Sequence, residues 1–196
     1  MFKRAFDVVF ALLALLLLLP LLLLLALLVA STSPGGAFFR QIRVGKNGRD
    51  FRLLKFRTMR PGSDTKGQIT VGERDPRITG IGRLLRKSKC DELPQLLNVL
   101  IGDMSMVGPR PEVPKYVALY TPDQRRILSV RPGITGPASV EYIDENELLG
   151  RSPDPERTYI EEVMPAKLAI DLAYVEQTSF ALDMRIILAT ARGLFR

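Results

Sequence analysis

The sequence contains no histidine, no tryptophan and only one cysteine, Cys90. Without histidine, the chain lacks the usual general base, imidazole metal ligands and any Ser-His or Cys-His nucleophile pair. A single cysteine excludes an intramolecular disulfide and a cysteine-based zinc site. Enzymatic chemistry would therefore depend on carboxylates, lysine, arginine, hydroxyls or a hard metal ion such as Mg²⁺. We expect Cys90 to be a small packing residue rather than a catalytic thiol.

Basic residues outnumber acidic ones, 28 against 21, so the chain carries a formal net charge of +7. Such a balance suits three kinds of partner: nucleic acid, anionic lipid or phosphorylated substrates. Non-specific binding of single-stranded nucleic acid uses aromatic side chains on which bases stack, and this chain has no tryptophan. We therefore expect membrane lipids and phosphorylated substrates as partners, and no nucleic acid.

One leucine-rich segment, residues 8–30, contains no charged side chain. As a helix, these 23 residues would reach roughly 35 Å, enough for a hydrocarbon core of roughly 30 Å. A cleaved signal peptide is one alternative, with Lys3 and Arg4 as its basic start, but the apolar run is longer than usual. A spanning helix kinked at Pro20 is another alternative, since proline is tolerated in such helices.

Basic residues on both sides of this segment favour a re-entrant helix. Lys3 and Arg4 precede it, and the stretch 40–60 after it holds eight basic residues and one acidic residue, Asp50. Because positively charged flanks tend to remain in the cytoplasm, both ends are predicted to lie on that side. Pro20 lies near the midpoint, where it removes a backbone hydrogen bond and would let the helix break and return.

The rest of the chain predicts a mostly α fold with one small β-hairpin, an α+β protein. Residues 38–58 form the predicted hairpin, because two apolar-basic runs flank the turn residues Asn47 and Gly48. In its second strand, Lys55 and Arg57 share one face. Residues 61–76 are predicted to be a mobile polar loop, and residues 107–114 a stiff turn.

Apolar spacing predicts four helices in the soluble part, at residues 81–89, 91–100, 158–180 and 182–195. Gly102 is expected to end the second of them. The last is amphipathic, so it lies either in the membrane interface or against the core.

The adjacent carboxylates Asp91 and Glu92 stand at the predicted start of the second helix. Alone, they are explained as an N-cap and as first-turn acids that complement the helix dipole. Their surroundings add a second interpretation, since basic residues flank them on both sides: Arg83, Arg86, Lys87, Lys89 and Arg110. A carboxylate among cations stays ionised at neutral pH, and it can hold Mg²⁺ or attack phosphorus. The cations would stabilise a phosphoryl transition state.

Six stretches of the chain carry distinctive residue patterns. They are KRAFD at 3–7, LKFRTM at 54–59, DPRIT at 75–79, DELPQ at 91–95, GDMSMVGPRPE at 102–112 and RPGITG at 131–136. In this order they resemble the successive motifs of the bacterial sugar transferases, the small monotopic phosphoglycosyl transferases. The resemblance covers almost the whole chain. It departs at Leu19, where some relatives place a serine before the helix-breaking proline.

The resemblance implies an enzyme that moves a phospho-sugar from a UDP-sugar to undecaprenyl phosphate and releases UMP, with Mg²⁺ as cofactor. Asp91 matches the nucleophile that forms an aspartyl phospho-sugar intermediate, and Glu92 matches a supporting position at the acceptor or the metal. The implied organisation is a re-entrant membrane helix, residues 1–33, and a catalytic domain, residues 34–196, on the cytoplasmic face of the bacterial inner membrane. The transferred sugar, the glycan pathway and the oligomeric state stay open.

Several basic residues are candidates for binding the substrate phosphates: Lys55, Arg57, Arg86, Arg110 and Arg131. Arg110 lies between two prolines, which should fix its backbone most firmly among these residues. Arg131 is explained equally well as a solvated surface residue. Glu112 either orients an arginine or the metal, or it is a surface carboxylate. The acidic stretch 140–150 either touches the sugar or faces solvent. The competing function is a non-catalytic, membrane-anchored basic module, which would leave the Asp91-Glu92 pair unexplained.

Overall fold

The computed structural model of the chain describes residues 2–63 and 75–193. The first half contains α1 (Phe2–Thr32), β1 (Phe38–Val44), β2 (Asp50–Phe56), α2 (Gly80–Lys87), α3 (Gln95–Ile101) and β3 (Ser105–Val107). The second half contains α4 (Pro114–Val117), β4 (Gly133–Thr135), α5 (Pro137–Glu141), α6 (Glu145–Gly150), α7 (Pro155–Thr158), α8 (Met164–Glu176) and α9 (Phe180–Gly193). The predicted mostly helical fold with a small β-hairpin is confirmed, and the structure adds a second small sheet.

One face of α1 packs against the rest of the protein from its first turns to its last. Its buried residues are Asp7, Ala11, Leu25 and Val29, which recur at helical spacing. The helix continues through Pro20, without the break that was predicted there. Ala11 and Val29 are fully buried in different parts of the core. A segment packed in this way belongs to the folded protein, which argues against a signal peptide that is removed.

The remaining faces of α1 expose a row of large apolar side chains: Val9, Phe10, Leu12, Leu13, Leu16, Leu17, Leu19, Leu21, Leu23, Leu24, Leu27 and Leu28. Among the described residues, α1 is the one helix long and apolar enough to cross a membrane. An apolar surface of this extent is unusual on a soluble monomer and is typical of contact with lipid or another protein.

Polar contacts hold the first turns of α1 to β3 and α3. The carboxylate of Asp7 accepts hydrogen bonds from Ser105 Oγ at 2.8 Å and from the Met106 amide at 3.0 Å. The guanidinium of Arg4 donates to the carbonyls of Val99, at 2.6 Å, and Leu100, at the end of α3. These contacts explain why basic and acidic residues precede the apolar segment: they join α1 to the rest of the fold.

The hairpin forms as predicted, with β1 and β2 antiparallel and Phe38 opposite Phe56. Asn47 has φ 58° and Gly48 has φ 73°, a left-handed turn that these residues tolerate. Phe51 and Leu53 are buried in one core cluster, while Phe56 is buried against α1 and α2 in another. The hairpin therefore lies between α1 and the C-terminal helices.

Two short helices follow the hairpin, close to the predicted ones. α2 begins at Gly80, and α3 begins at Gln95 and ends before Gly102, whose φ of 100° suits a helix C-terminus. A Cβ at Gly82 would lie 2.1 Å from the carbonyl oxygen of Thr58, so α2 can approach the end of β2 only because residue 82 is glycine. Of the predicted mobile loop at 61–76, residues 64–74 lie outside the described part of the chain.

A second, parallel sheet of two short strands, β3 and β4, was not predicted from the sequence. Ser105 pairs with Gly133 and Val107 with Thr135. Residues 107–114, which begin at the end of β3, were predicted as a stiff turn, and strands of three residues are too short to show a period of two. A Cβ at Gly133 would lie 2.1 Å from the Gly108 amide nitrogen, so the backbones can approach this closely only because residue 133 is glycine.

The C-terminal helices are divided differently from the prediction. A π-helical stretch, Tyr159–Val163, separates α7 from α8, and α9 begins at Phe180. Asp183 and Ile186 are buried, so α9 packs on the core along one side. Residues 194–196 of the predicted last helix lie outside the described part. The division into residues 1–33 and 34–196 stays a prediction.

We expect Asp7→Ala to lower the free energy of unfolding by about 2–4 kcal/mol, because the Met106 amide and the Ser105 hydroxyl would stay buried without their partner. Denaturant unfolding in detergent, followed by circular dichroism, measures the change. Asp7→Asn retains an acceptor oxygen and should lose less than half as much. Equal stability of wild type and Asp7→Ala would show that this contact does not hold α1 in place.

Candidate active site

A cleft of about 280 Å³ opens between the hairpin, the end of α2, the turn after β3 and the C-terminal helices. All the predicted site residues except Arg131 line it: Lys55, Arg57, Arg86, Asp91, Glu92, Arg110 and Glu112. The fold thus brings together residues that are up to 57 positions apart in the sequence.

One wall of the cleft comes from β2 and α2. Lys55 is the penultimate residue of β2, and Arg57 follows the strand, where its guanidinium donates to the carbonyls of Gly36 and Phe38. Arg86 lies in the last turn of α2 and donates from Nε to the Thr58 hydroxyl at 3.0 Å. The close contact of α2 with the end of β2 places these cations on one side of the cleft.

The two carboxylates lie in a tight turn between α2 and α3. Lys89 has φ 55°, a left-handed conformation, and Cys90–Glu92 form a single 3₁₀ turn. Asp91 does not cap α3, because that helix begins four residues later with Pro94 at its N-cap and no side-chain cap bond. The helix-capping interpretation of Asp91 is therefore wrong. Cys90 packs beside the core cluster that contains Phe56, which confirms its packing role.

Glu92 joins the two sides of the cleft through ion pairs. Its Oε1 lies 2.7 Å from Lys55 Nζ and 2.6 Å from Arg110 Nη2. Burial alone would raise the pKa of Glu92, but Arg110 and Lys55 outweigh it and hold this pKa well below its ordinary value. Glu92 is therefore ionised at neutral pH and poorly suited to accept a proton.

Asp91 is buried, 7% exposed, and within residues 2–63 and 75–193 no side chain forms an ion pair with it. Burial raises its pKa, and the nearby Lys55 and Arg86 oppose that rise. From the sequence, the neighbouring cations alone would lower the pKa of Asp91. In the fold, burial has the larger effect and raises it. Asp91 is thus a desolvated carboxylate whose oxygens are not occupied by a cation, an arrangement suited to a nucleophile.

Glu112 is held by residues that were not predicted as part of the site. Arg43 Nη1 lies 3.0 Å from Glu112 Oε1, and the Tyr159 hydroxyl donates to Glu112 Oε2. Of the two interpretations of Glu112, the structure supports the one in which it orients an arginine. Arg43 could have been found from the hairpin register, because β1 places it on the same face as Lys55. Tyr159 is positioned by a π-helical stretch, which the apolar pattern does not reveal.

The opposite wall comes from α6 and α8, through Glu145, Asn146 and Lys167. Glu145 lies in the acidic stretch 140–150 and forms an ion pair with Lys167, whose side chain is buried. Within this stretch, Glu147 is exposed and does not line the cleft. Only part of the acidic stretch therefore faces the site.

Arg131 lies away from the cleft. Its Nε donates to the carbonyl of Gly102 at 2.8 Å, where it satisfies the end of α3. A phosphate-binding role for Arg131 finds no support in this position.

No group of three or more acidic or cysteine side chains in the described ranges is placed to hold a metal ion. Of the two predicted metal ligands, Asp91 has free oxygens, whereas Glu92 Oε1 is occupied by two cations. Mg²⁺ often binds through one or two carboxylates together with substrate phosphates and water. The residues present fit such a site at Asp91, with Glu92 as the poorer ligand.

Comparison with known proteins identifies relatives over the whole chain. The sequence profile of the family described as "Bacterial sugar transferase" matches residues 1–196. An uncharacterised sugar transferase of Bacillus subtilis is 40% identical over 97% of this chain and 85% of its own length.

Two further relatives carry names that specify a reaction. A UDP-glucose:undecaprenyl-phosphate glucose-1-phosphate transferase of Caulobacter vibrioides is 40% identical over 98% of this chain and 69% of its own length. A UDP-N-acetylgalactosamine-undecaprenyl-phosphate N-acetylgalactosaminephosphotransferase of Aeromonas hydrophila is also 40% identical over 98% of this chain, but over 43% of its own length. The named sugars differ while the lipid acceptor is the same.

Proposed function

Because the chain belongs to the bacterial sugar transferase family, we propose that it transfers a sugar phosphate from a UDP-sugar to undecaprenyl phosphate and releases UMP. The observation that carries the proposal is Asp91, a buried carboxylate that forms no ion pair within the described ranges, in a cleft lined by cations. The relatives' names provide the substrate classes. The reaction would be the first membrane step of glycan assembly.

In the first half-reaction, an Oδ atom of Asp91 attacks the β-phosphorus of the UDP-sugar. The bond between that phosphorus and the bridging oxygen breaks, and UMP leaves with the oxygen and its electron pair. The phospho-sugar is then bound to Asp91 as an acyl phosphate. The raised pKa of Asp91 makes its oxygens more basic and hence more nucleophilic. The cations of the cleft stabilise the negative charge that the phosphoryl oxygens carry in the transition state.

In the second half-reaction, a phosphate oxygen of undecaprenyl phosphate attacks the same phosphorus, and the bond to Asp91 breaks. The acceptor phosphate is already anionic near neutral pH, so it needs no strong general base. Glu92, whose pKa is held low, is a poor proton acceptor. Its proposed role is to position Lys55 and Arg110, both of which it binds directly.

Mg²⁺ is the proposed cofactor, held by Asp91 together with the phosphates of the donor. When bound, it would neutralise charge on the diphosphate and polarise the β-phosphorus. Glu92 is less available for this purpose, since its Oε1 already accepts from two cations.

The packing of α1 supports a re-entrant arrangement in the membrane. The helix contacts the body through Asp7 near its start and through Val29 near its end. A straight spanning helix would carry one of these ends across the bilayer and away from a domain that stays on one side. Pro20 has no backbone N–H, so the carbonyl of Leu16 is free there and the helix can bend. We propose that both ends lie at the cytoplasmic face, with the catalytic domain.

This arrangement would bring the cleft to the membrane surface. Leu25 and Val29 of α1 pack with Leu85 of α2, the neighbour of Arg86 in the cleft wall. A lipid-linked phosphate at the surface and a water-soluble UDP-sugar could then reach the same carboxylate.

Purified protein in detergent, with Mg²⁺, undecaprenyl phosphate and a panel of UDP-sugars, should release UMP with at least one donor. Asp91→Asn should reduce the release by at least about 10³-fold, since the amide cannot form the acyl phosphate. Asp123→Asn, at an exposed position outside the cleft, is the matched control and should keep wild-type activity. No UMP from any donor would favour the membrane-anchored binding module, and full activity of a folded Asp91→Asn would remove Asp91 as the nucleophile.

Epitope tags at both termini should be inaccessible from the periplasm of intact cells, because both ends of α1 are proposed to lie in the cytoplasm. Permeabilised cells, in which both tags should be detected, are the control. Labelling of an N-terminal tag in intact cells would show an ordinary spanning helix instead.

A further inference from the structure

The charges that line the cleft are paired unevenly. Nine cations and four carboxylates line it within the described ranges. Five of the cations form an ion pair with a carboxylate: Arg43, Lys55, Arg77, Arg110 and Lys167. The other four form no ion pair within the described part of the chain: Arg57, Arg60, Arg86 and Lys89. Unpaired positive charge is thus confined to a subset of the lining.

These unpaired cations lie together at what we call the electropositive end of the cleft, formed by Arg57, Arg60, Arg86 and Lys89. Arg57 and Arg60 follow β2, and Arg86 bonds to Thr58 between them. Burial lowers the pKa of Arg86, and the carboxylates that oppose this are, in order of effect, Asp91, Asp75 and Glu92. This end therefore adjoins Asp91 on the side of α2.

The charged lining near Arg110 and Glu92 belongs to what we call the balanced end, formed by Arg43, Glu112, Glu145, Asn146, Tyr159 and Lys167. Arg43 pairs with Glu112, and Lys167 pairs with Glu145. The Lys167 ammonium also lies 5.7 Å from the centre of the Tyr159 ring. Arg110 connects this end to the carboxylate pair, because Glu92 raises its pKa most strongly and Glu145 and Glu112 add to the effect.

If the proposed function is correct, the two ends of the cleft bind different parts of the UDP-sugar. Asp91 must face the β-phosphorus, so the α-phosphate with its uridine lies on one side and the sugar on the other. The α-phosphate carries negative charge and needs cations that are not already neutralised. We infer that the α-phosphate lies at the electropositive end and the sugar at the balanced end, where Asn146 contacts the sugar.

Asn146 is the residue of this end best placed to distinguish sugars. It lines the cleft from the first turn of α6, a helix anchored by the buried side chain of Leu149. Glu145 beside it is paired with Lys167, whereas the Asn146 amide makes no hydrogen bond within the described ranges and is exposed. An amide offers both a donor and an acceptor, which matches the hydroxyl and acetamido groups of hexoses and N-acetylhexosamines. Since the described part of the chain places no unpaired cation here, the site suits a neutral sugar rather than a uronic acid.

The test compares Asn146→Ala with wild type on UDP-glucose, UDP-N-acetylglucosamine, UDP-N-acetylgalactosamine and UDP-glucuronic acid. We expect kcat/KM for the best donor to fall by about 10-fold or more and the order of the neutral donors to change, since a site loses discrimination when a hydrogen-bonding group is removed. Inhibition by UMP should change by less than about 2-fold. UDP-glucuronic acid should be the poorest donor of the wild type. Glu147→Gln, the next residue on α6 and outside the cleft, is the matched control and should behave as wild type.

Lys89→Asn tests the electropositive end, because asparagine tolerates the left-handed backbone at this position and carries no charge. It should weaken inhibition by UMP about 10-fold and leave the order of donors unchanged. If Asn146→Ala weakens UMP inhibition and lowers all donors equally, the donor binds in the reverse direction. Wild-type behaviour of Asn146→Ala would also overturn the inference. Failure of the wild type with every donor would instead overturn the proposed function, and with it the inference.

Discussion

The ion pairs of Glu92 hold the cleft together. Its carboxylate binds Lys55 at the end of β2 and Arg110 in the turn after β3, so one side chain joins the hairpin to the C-terminal half. Both ion pairs are partly buried, so removal of Glu92 would leave two cations without their counter-charge and is expected to destabilise the cleft. Because Glu92 takes up these two cations, its neighbour Asp91 keeps its oxygens free. The pairing of one carboxylate is thus what leaves the other available for chemistry.

A second constraint is the position of α1. The reaction proposed for this chain joins a water-soluble donor to a lipid-bound acceptor, so its nucleophile must lie where water and membrane meet. The helix packs by Ala11 against the core that includes the hairpin and by Val29 against α2, while most of its leucines stay exposed. The membrane segment is therefore built into the domain that forms the cleft. A change in how α1 packs would alter the cleft through its contacts with β3 and α2.

The sequence predicted the hairpin, α2, α3 and most of the cleft lining, because each depends on a local signal. Asn47-Gly48 specifies a turn, leucine spacing specifies a helix face, and Asp91-Glu92 among basic residues indicates phosphate chemistry. What it did not predict depends on contacts between distant segments. The β3–β4 pair is set by the close approach of Gly108 to Gly133, and Tyr159 enters the site through a π-helical turn. The partner of each cation also depends on the fold. Arg110 and Lys55 pair with Glu92, and Arg131 donates to the carbonyl of Gly102 at the end of α3.

If Asp91 attacks the donor, it carries the phospho-sugar as a covalent adduct until the acceptor arrives. Intact-protein mass spectrometry of the enzyme mixed with its UDP-sugar, in the absence of undecaprenyl phosphate, tests this directly. We expect a mass increase equal to one sugar phosphate, localised by peptide mapping to Asp91 and lost when the acceptor is added. An adduct on another residue would contradict it, and so would turnover through a ternary complex in which no adduct ever forms.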